Sequence, residues 1–285
     1  MSLKNHWKDM ETYWRRLEIL NSKRGRDREA LSIVCHPEMP LFVNRYFDFF
    51  QKRAVKQALL AKEIAIKDKI ILDVGCGGGR WADLFSQYGA KVTGIDIQEK
   101  TIQKNRELFP AIDFKVMSSM NLDFQDNYFD LLSSITVLQH LPGTNQIESV
   151  NEIVRVIKQG GYLLILEWTR QNEASHMFPL HSDEWIKLFN ERGLSLEYKK
   201  DIGYDLLFRA FNKFTHSIRN SLGMTNVKPD DIANQNIKIS VRWRIKLKNI
   251  LSLAITLPSY PLELLSVNLL SEILSTHTLM IFRKH

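Results

Sequence analysis

The sequence predicts an α/β protein with a mainly parallel sheet, and three observations carry that expectation. Between residues 61 and 170, short apolar or β-branched runs alternate with polar, helix-like segments, the pattern of βαβ units. The first of those runs enters a cluster of four glycines within five residues, the punctuation of a tight strand-to-helix turn. The 285 residues are 44% hydrophobic and 25% charged, enough to build one large domain or one domain carrying a substantial insertion. That composition excludes a disordered chain, a collagen and a coiled-coil rod. Cys35 and Cys76 are too few for a disulfide framework and too far apart for a zinc-type cluster, so a reducing compartment and no metal are expected.

In chain order, residues 1–60 are rich in aromatics: Trp7, Tyr13, Trp14, Phe42, Tyr46, Phe47, Phe49 and Phe50. The strand-like runs follow at Lys69–Val74, Lys91–Ile97, Ile112–Val116, Phe129–Ile135 and Tyr162–Glu167. Two further strands are expected near Leu194–Tyr198 and Thr276–Phe282. About 75 residues separate them, far more than a hairpin loop needs.

The net charge of +7 is local. Residues 1–198 carry 26 basic and 26 acidic side chains, whereas residues 199–285 carry 13 and 6. The pattern argues against a general nucleic-acid binder and for one basic feature, at Lys238, Arg242, Arg244, Lys246 and Lys248. Met1–His6 has no apolar signal-peptide core. The longest uncharged apolar-leaning stretch, Asn249–Leu262, has 14 residues and two prolines, too few and too broken to span a bilayer. A cytoplasmic protein is expected.

The most informative segment is Ile70–Arg80, a buried-type strand running into Gly75-Cys76-Gly77-Gly78-Gly79. Such a junction lets the backbone approach a nucleotide-like ligand at the carboxyl edge of a sheet. The dinucleotide fingerprint needs glycine where Arg80 stands, and no Gly-Lys-Ser/Thr follows for a phosphate loop. What fits is acid-x-Gly-x-Gly-x-Gly, formed by Asp73, Gly75, Gly77 and Gly79. A second strand ends at Asp96, whose carboxylate can accept both hydroxyls of a ribose.

With these residues the chain resembles the class I S-adenosylmethionine-dependent methyltransferases, in particular the small-molecule, ubiquinone-biosynthesis-like branch. Three more blocks carry the resemblance: Leu122–Asp130, with Asp123 for the usual proline; Val137-Leu138-Gln139-His140; and Glu152–Gly161, with Gln159 for proline. The resemblance implies a Rossmann-like, seven-stranded, mainly parallel sheet with a helical cap. It implies residues 1–60 as an N-terminal helical cap and 61–285 as the methyltransferase domain, with an insertion at about 204–274. It implies S-adenosyl-L-methionine as cofactor and S-adenosyl-L-homocysteine as product, held by Asp73, Gly75, Cys76, Gly77, Gly79, Asp96, Ile97, Ser119, Met120 and Ile135. Ser118 replaces the family's usual aspartate near the adenine, so Ser119 and Met120 would act through backbone and apolar contact. Ile135 replaces a frequent asparagine and could offer only its backbone.

A sulfonium leaving group needs no activation; the protein must align the acceptor and exclude water, and a hydroxyl acceptor gains from a base. His140, after the fourth strand, is the leading base candidate, with a structural histidine as the alternative. Glu167, ending the fifth strand, is a second catalytic or orienting candidate. His176 and His181 lie just beyond and are candidate substrate contacts. Tyr46 and Phe50 could line an apolar acceptor pocket or simply pack as core; Asn44, Tyr46 and Arg53 could reach the cofactor from the cap. The Pro-Pro-aromatic motif of DNA amino-methylases, the Pro-Cys nucleophile of cytosine methylases and the acid cluster of metal-dependent catechol enzymes are absent. The expected activity is methyl transfer to a small-molecule or lipid-like acceptor, most readily at oxygen. N- or C-methylation, or a non-catalytic cofactor-binding partner protein, are the alternatives. Residues 238–248 alternate polar, mostly cationic, residues with apolar ones, which suits either a solvated strand edge or peripheral contact with an anionic membrane.

Overall fold

The computed structural model describes residues 41–170, 177–202 and 276–285. The basic stripe, His176 and the insertion at about 204–274 lie outside these residues. The elements are α1 (Leu41–Ala61), β1 (Ile70–Val74), α2 (Arg80–Gln87), β2 (Lys91–Asp96), α3 (Glu99–Leu108), β3 (Asp113–Val116), β4 (Phe129–Ile135), a 3-10 turn (Leu138–His140), α4 (Gly143–Val156), β5 (Ile157–Trp168), α5 (Ser182–Asn190), β6 (Leu194–Ile202) and β7 (His277–Lys284). No helix among the described residues is long and apolar enough to cross a membrane.

The strands form one seven-stranded sheet in the order β3-β2-β1-β4-β5-β7-β6. β3, β2, β1, β4 and β5 run parallel, and β7 pairs antiparallel with both β5 and β6. The expected seven-stranded, mainly parallel architecture is therefore present. Strand order reverses between β1 and β4, the switch point where such sheets open a crevice at their carboxyl edge.

Both faces are covered, which is why the strands read as continuous apolar runs. On one face Ile71, Leu131, Ile135, Leu164, Leu166, Leu279 and Ile281 pack under α1, α2 and α3. On the other, Leu72, Val74, Leu132, Leu163, Ile165, Met280 and Phe282 pack under α4 and α5. α1 meets the sheet through Phe47, Phe50, Ala54, Val55, Ala58 and Leu59, a helical-period stripe. It runs opposite to β6: its first half bonds Arg80 at the carboxyl edge, and Lys62 just past its end pairs with Glu197 lower down.

β5 begins five residues earlier than the sequence pattern suggests. Lys158-Gln159-Gly160-Gly161 reads as a turn, yet Gly160 at φ +74 lets the strand bulge and continue, with a register shift opposite Phe129 and Leu131. At Gly161 a Cβ would lie 2.9 Å from the Lys158 carbonyl oxygen and 3.0 Å from that of Asp130, so only glycine fits. Two of the sequence blocks form one network. Arg155 donates to the carbonyls of Leu122 and Phe124 and to Asp126 and Glu152, while Glu152 accepts the Leu122 amide. Asp130 accepts the Ile70 amide and pairs with Lys158, a structural role at the opposite end of β4 from the crevice.

Candidate active site

The site grows from the turn between β1 and α2. Gly75, Gly77 and Gly79 all have positive φ, at 64, 48 and 77°, where a side chain would be strained. At Gly75 space forbids one as well: a Cβ would lie 2.4 Å from Val137 Cγ2. The turn is pinned by the Cys76 amide donating to the Ile95 carbonyl at 2.8 Å and by Asn105 Nδ2 donating to the Gly77 carbonyl at 2.7 Å. Cys76 is buried beneath it, and burial pushes its thiol pKa up.

Two carboxyls flank the turn. Asp73 is buried at the end of β1; Ser133 Oγ donates to its Oδ1 at 2.7 Å, while Oδ2 has no hydrogen-bond partner. The Ala82 amide lies near enough to lower the carboxyl's pKa somewhat but makes no bond of normal geometry. Burial dominates and pushes Asp73 up to about 7. Asp96, at the end of β2, accepts the Gly77 amide on Oδ2 at 3.0 Å and the Gln98 amide on Oδ1 at 2.9 Å. Desolvation raises its pKa against the pull of those amides. Each oxygen keeps a second lone pair, the acceptor set that two ribose hydroxyls require. Ile97 follows with 55% exposure, an open apolar surface beside that carboxylate. The lone pairs of Asp96, the unpartnered Asp73 oxygen and a glycine turn with no room for a Cβ at Gly75 together fit a sulfonium nucleoside carrying an amino-acid tail.

The remaining candidates are distributed unevenly. Ser119 Oγ is bonded to Ser149 Oγ at 2.8 Å, and the Met120 amide donates to Ser118 Oγ at 3.2 Å, so both residues sit on the loop after β3. Asn145 from α4 donates to the Met120 sulfur. Ile135 is core at the end of β4, and the next residue, Thr136, has φ +57. His140 closes the 3-10 turn half-buried, its Nε2 3.4 Å from Gln139 Nε2. The Trp168 amide donates to Gln139 Oε1 at 2.6 Å, so Gln139 turns its NH2 toward His140, and the ring accepts at Nε2. Glu167 is fully buried and accepts the amides of Val137, Leu138 and Gln139. Burial pushes its carboxyl up to about 8 against those three bonds.

Tyr46 and Phe50, open between pocket lining and core, are each 3% exposed and pack on one another with ring centroids 4.8 Å apart, within the core under α1. Arg53 lies on the exposed side of α1, near Lys200. His181 is exposed at the start of α5, where its amide donates to Glu184 Oε2 at 2.7 Å. Asn44 is buried in α1.

Sequence reading missed Asn105, Gln139 and Arg80. Asn105 shares the buried side of α3 with Thr101 and Ile102, and a polar residue on a buried face was the available signal. Arg80 is buried and donates to Asp48 Oδ1 at 2.8 Å and to Gln51 Oε1. Trp168 and His277, paired across β5 and β7, put an edge-to-face ring contact at 5.0 Å on the same carboxyl edge.

Comparison with known proteins agrees with this geometry. The methyltransferase-domain family matches residues 72–165. The 2-methyl-6-phytyl-1,4-hydroquinone methyltransferase of Synechocystis is 36% identical over 107 residues, covering 36% of this chain and 33% of that one. The ubiquinone biosynthesis O-methyltransferase of Nitrosomonas europaea is 28% identical over 142 residues (48% and 59%). The sterol 24-C-methyltransferase ERG6A of Gibberella zeae is 34% identical over 153 residues (51% and 39%). The chain thus spans between a third and about three fifths of these relatives. Among solved structures, a protein of Galdieria sulphuraria superposes with TM-score 0.55 at 16% identity, covering 88% of this chain and 91% of that one. The [4+2]-cyclase SpnF superposes with TM-score 0.51 at 17% identity, covering 81% and 80%. The matched core, the sheet order and the glycine turn agree: residues 72–165 carry a methyltransferase domain.

Proposed function

We propose that this chain transfers a methyl group from S-adenosylmethionine to a small-molecule or lipid-like acceptor, with a hydroxyl oxygen as the receiving atom. The observation that carries the reading is Asp96. Its carboxylate joins the glycine turn to the end of β2 and still offers one lone pair on each oxygen. Bound there, the cofactor supplies a methyl on a sulfonium, electrophilic enough to need no activation by the protein. The chain's own work is to hold and to shield. Asp96 takes the sugar hydroxyls, Ile97 and the Ser119–Met120 loop bound the base, and Asp73 with Gly75, Gly77 and Gly79 receives the amino-acid end. His140 stands at the acceptor side; a ring that already accepts from Gln139 is oriented by it, and we read its role as orienting more than proton removal.

The oxygen preference draws on the ubiquinone biosynthesis O-methyltransferase among the relatives; the hydroquinone methyltransferase's name gives no receiving atom, and the sterol C-methyltransferase keeps carbon as the rival. A second reading, a cofactor-binding fold used for another reaction, is favoured by the likeness to a cyclase. The test is calorimetry with S-adenosylhomocysteine, followed by incubation with methyl-labelled cofactor and a panel of quinols, sterols and amines. Asp96→Ala should weaken binding by about 1–3 kcal/mol through unmet ribose hydroxyls; unchanged affinity would refute the assignment. Binding with no label on any acceptor would favour the second reading.

A further inference from the structure

The turn after β4 is gripped from several sides, and the residue that grips it hardest has no part in the function proposed above. Glu167 is 0% exposed and accepts three consecutive backbone amides: Val137 at 3.2 Å and Leu138 at 3.1 Å on Oε1, and Gln139 at 3.1 Å on Oε2. Among the described residues, these three amides are the groups that act to hold its charge against burial. A carboxyl withdrawn from water is costly without such partners, so the three bonds tie the end of β5 to the turn.

The same turn leans on the cofactor loop. Val137 packs so closely over Gly75 that a Cβ there would meet its Cγ2 at 2.4 Å. Thr136 enters the turn at φ +57, a conformation that a β-branched residue keeps only when its surroundings hold it. On the far side Gln139 accepts the Trp168 amide on Oε1 and the Phe178 amide on its carbonyl, both at 2.6 Å. One short segment therefore links the glycine turn, the end of β5 and the chain beyond it.

Resting on the cofactor site proposed above, we infer that Glu167 is a positioning residue. It fixes residues 136–140 so that Val137 closes against Gly75 and the glycine turn keeps its binding conformation. It acts through Val137 and touches neither the cofactor nor the acceptor.

The test uses the full chain, S-adenosylhomocysteine as probe, and the variants Glu167→Gln, Glu167→Ala and Val137→Ala. Calorimetry gives affinity, amide hydrogen exchange reports residues 136–140, and thermal melting reports the fold. Glu167→Gln keeps one carbonyl acceptor and should weaken the probe about 5- to 20-fold, Glu167→Ala more. Exchange should rise in 136–140 while β1 stays protected. Val137→Ala leaves Glu167 intact and should also weaken the probe, so the inference stays testable if Glu167→Ala does not fold. Wild-type affinity in a folded Glu167→Gln or in Val137→Ala overturns the inference, even if melting drops or the turn exchanges faster. If the wild-type chain does not bind the probe, the proposed function falls instead, and the exchange arm alone decides whether Glu167 holds the turn.

Discussion

Asp73, Asp96 and Glu167 all end a strand at the carboxyl edge, but their partners differ, and the partners separate their roles. Asp96 bonds two amides and retains acceptor capacity; Glu167 is committed to three amides; Asp73 has one oxygen without a partner. Burial raises Asp73 from 3.8 to about 7, so between those values the folded chain holds a proton that the unfolded chain has released. The stability carried by the protonated form is complete below about pH 4 and is lost as pH rises through 7. Asn at this position does not titrate. Urea denaturation at pH 5 and pH 8 should show the stability of Asp73→Asn, relative to wild type, improving by roughly 2–3 kcal/mol across that interval. Parallel pH dependence in the two chains would mean that Asp73 is ionised throughout. Asp73, the glycines and Asp96 were legible in the sequence because they are a local spacing. Asn105 was not, because its partner, the Gly77 carbonyl, lies 28 residues away.

At the scale of elements, α1 shows how aromatics at helical spacing can be read two ways. Tyr46 and Phe50 were open between pocket and core, and the core side is what the packing supplies. What attaches the helix to the site is polar. Arg80 opens α2 directly after the glycine turn, and its side chain, 3% exposed, pairs with Asp48 and bonds Gln51, both on α1. Asp48 also pairs with Lys52 at 3.0 Å, so losing Arg80 does not strand its charge. Arg80→Ala should cost about 2–4 kcal/mol, less than the loss of a wholly isolated buried pair. A double-mutant cycle with Asp48→Ala should give a coupling of about 1–2 kcal/mol. Additive effects would show that α1 is held by its apolar stripe alone.

Over the whole molecule, the chain returns after residue 275 to place β7 between β5 and β6. Leu279, Met280, Ile281 and Phe282 are each 0% exposed and enter both hydrophobic layers. Burial at roughly 2–3 kcal/mol per side chain makes these four comparable to the whole stability of a domain. A chain ending at residue 276 should therefore lose cooperative melting and near-ultraviolet dichroism; a retained sharp transition would show that β6 can find another place. The seven strands, the glycine turn and the two acids that flank it were determined by the sequence by itself, since apolar period and turn chemistry are encoded within a few residues. Tertiary structure alone decided that Glu167 spends its oxygens on backbone amides 28 to 30 residues away, that Tyr46 and Phe50 lie in the core, and that Arg80 reaches back to α1. A side chain's type states what it can bond, but which group meets it depends on how distant strands and helices are brought together.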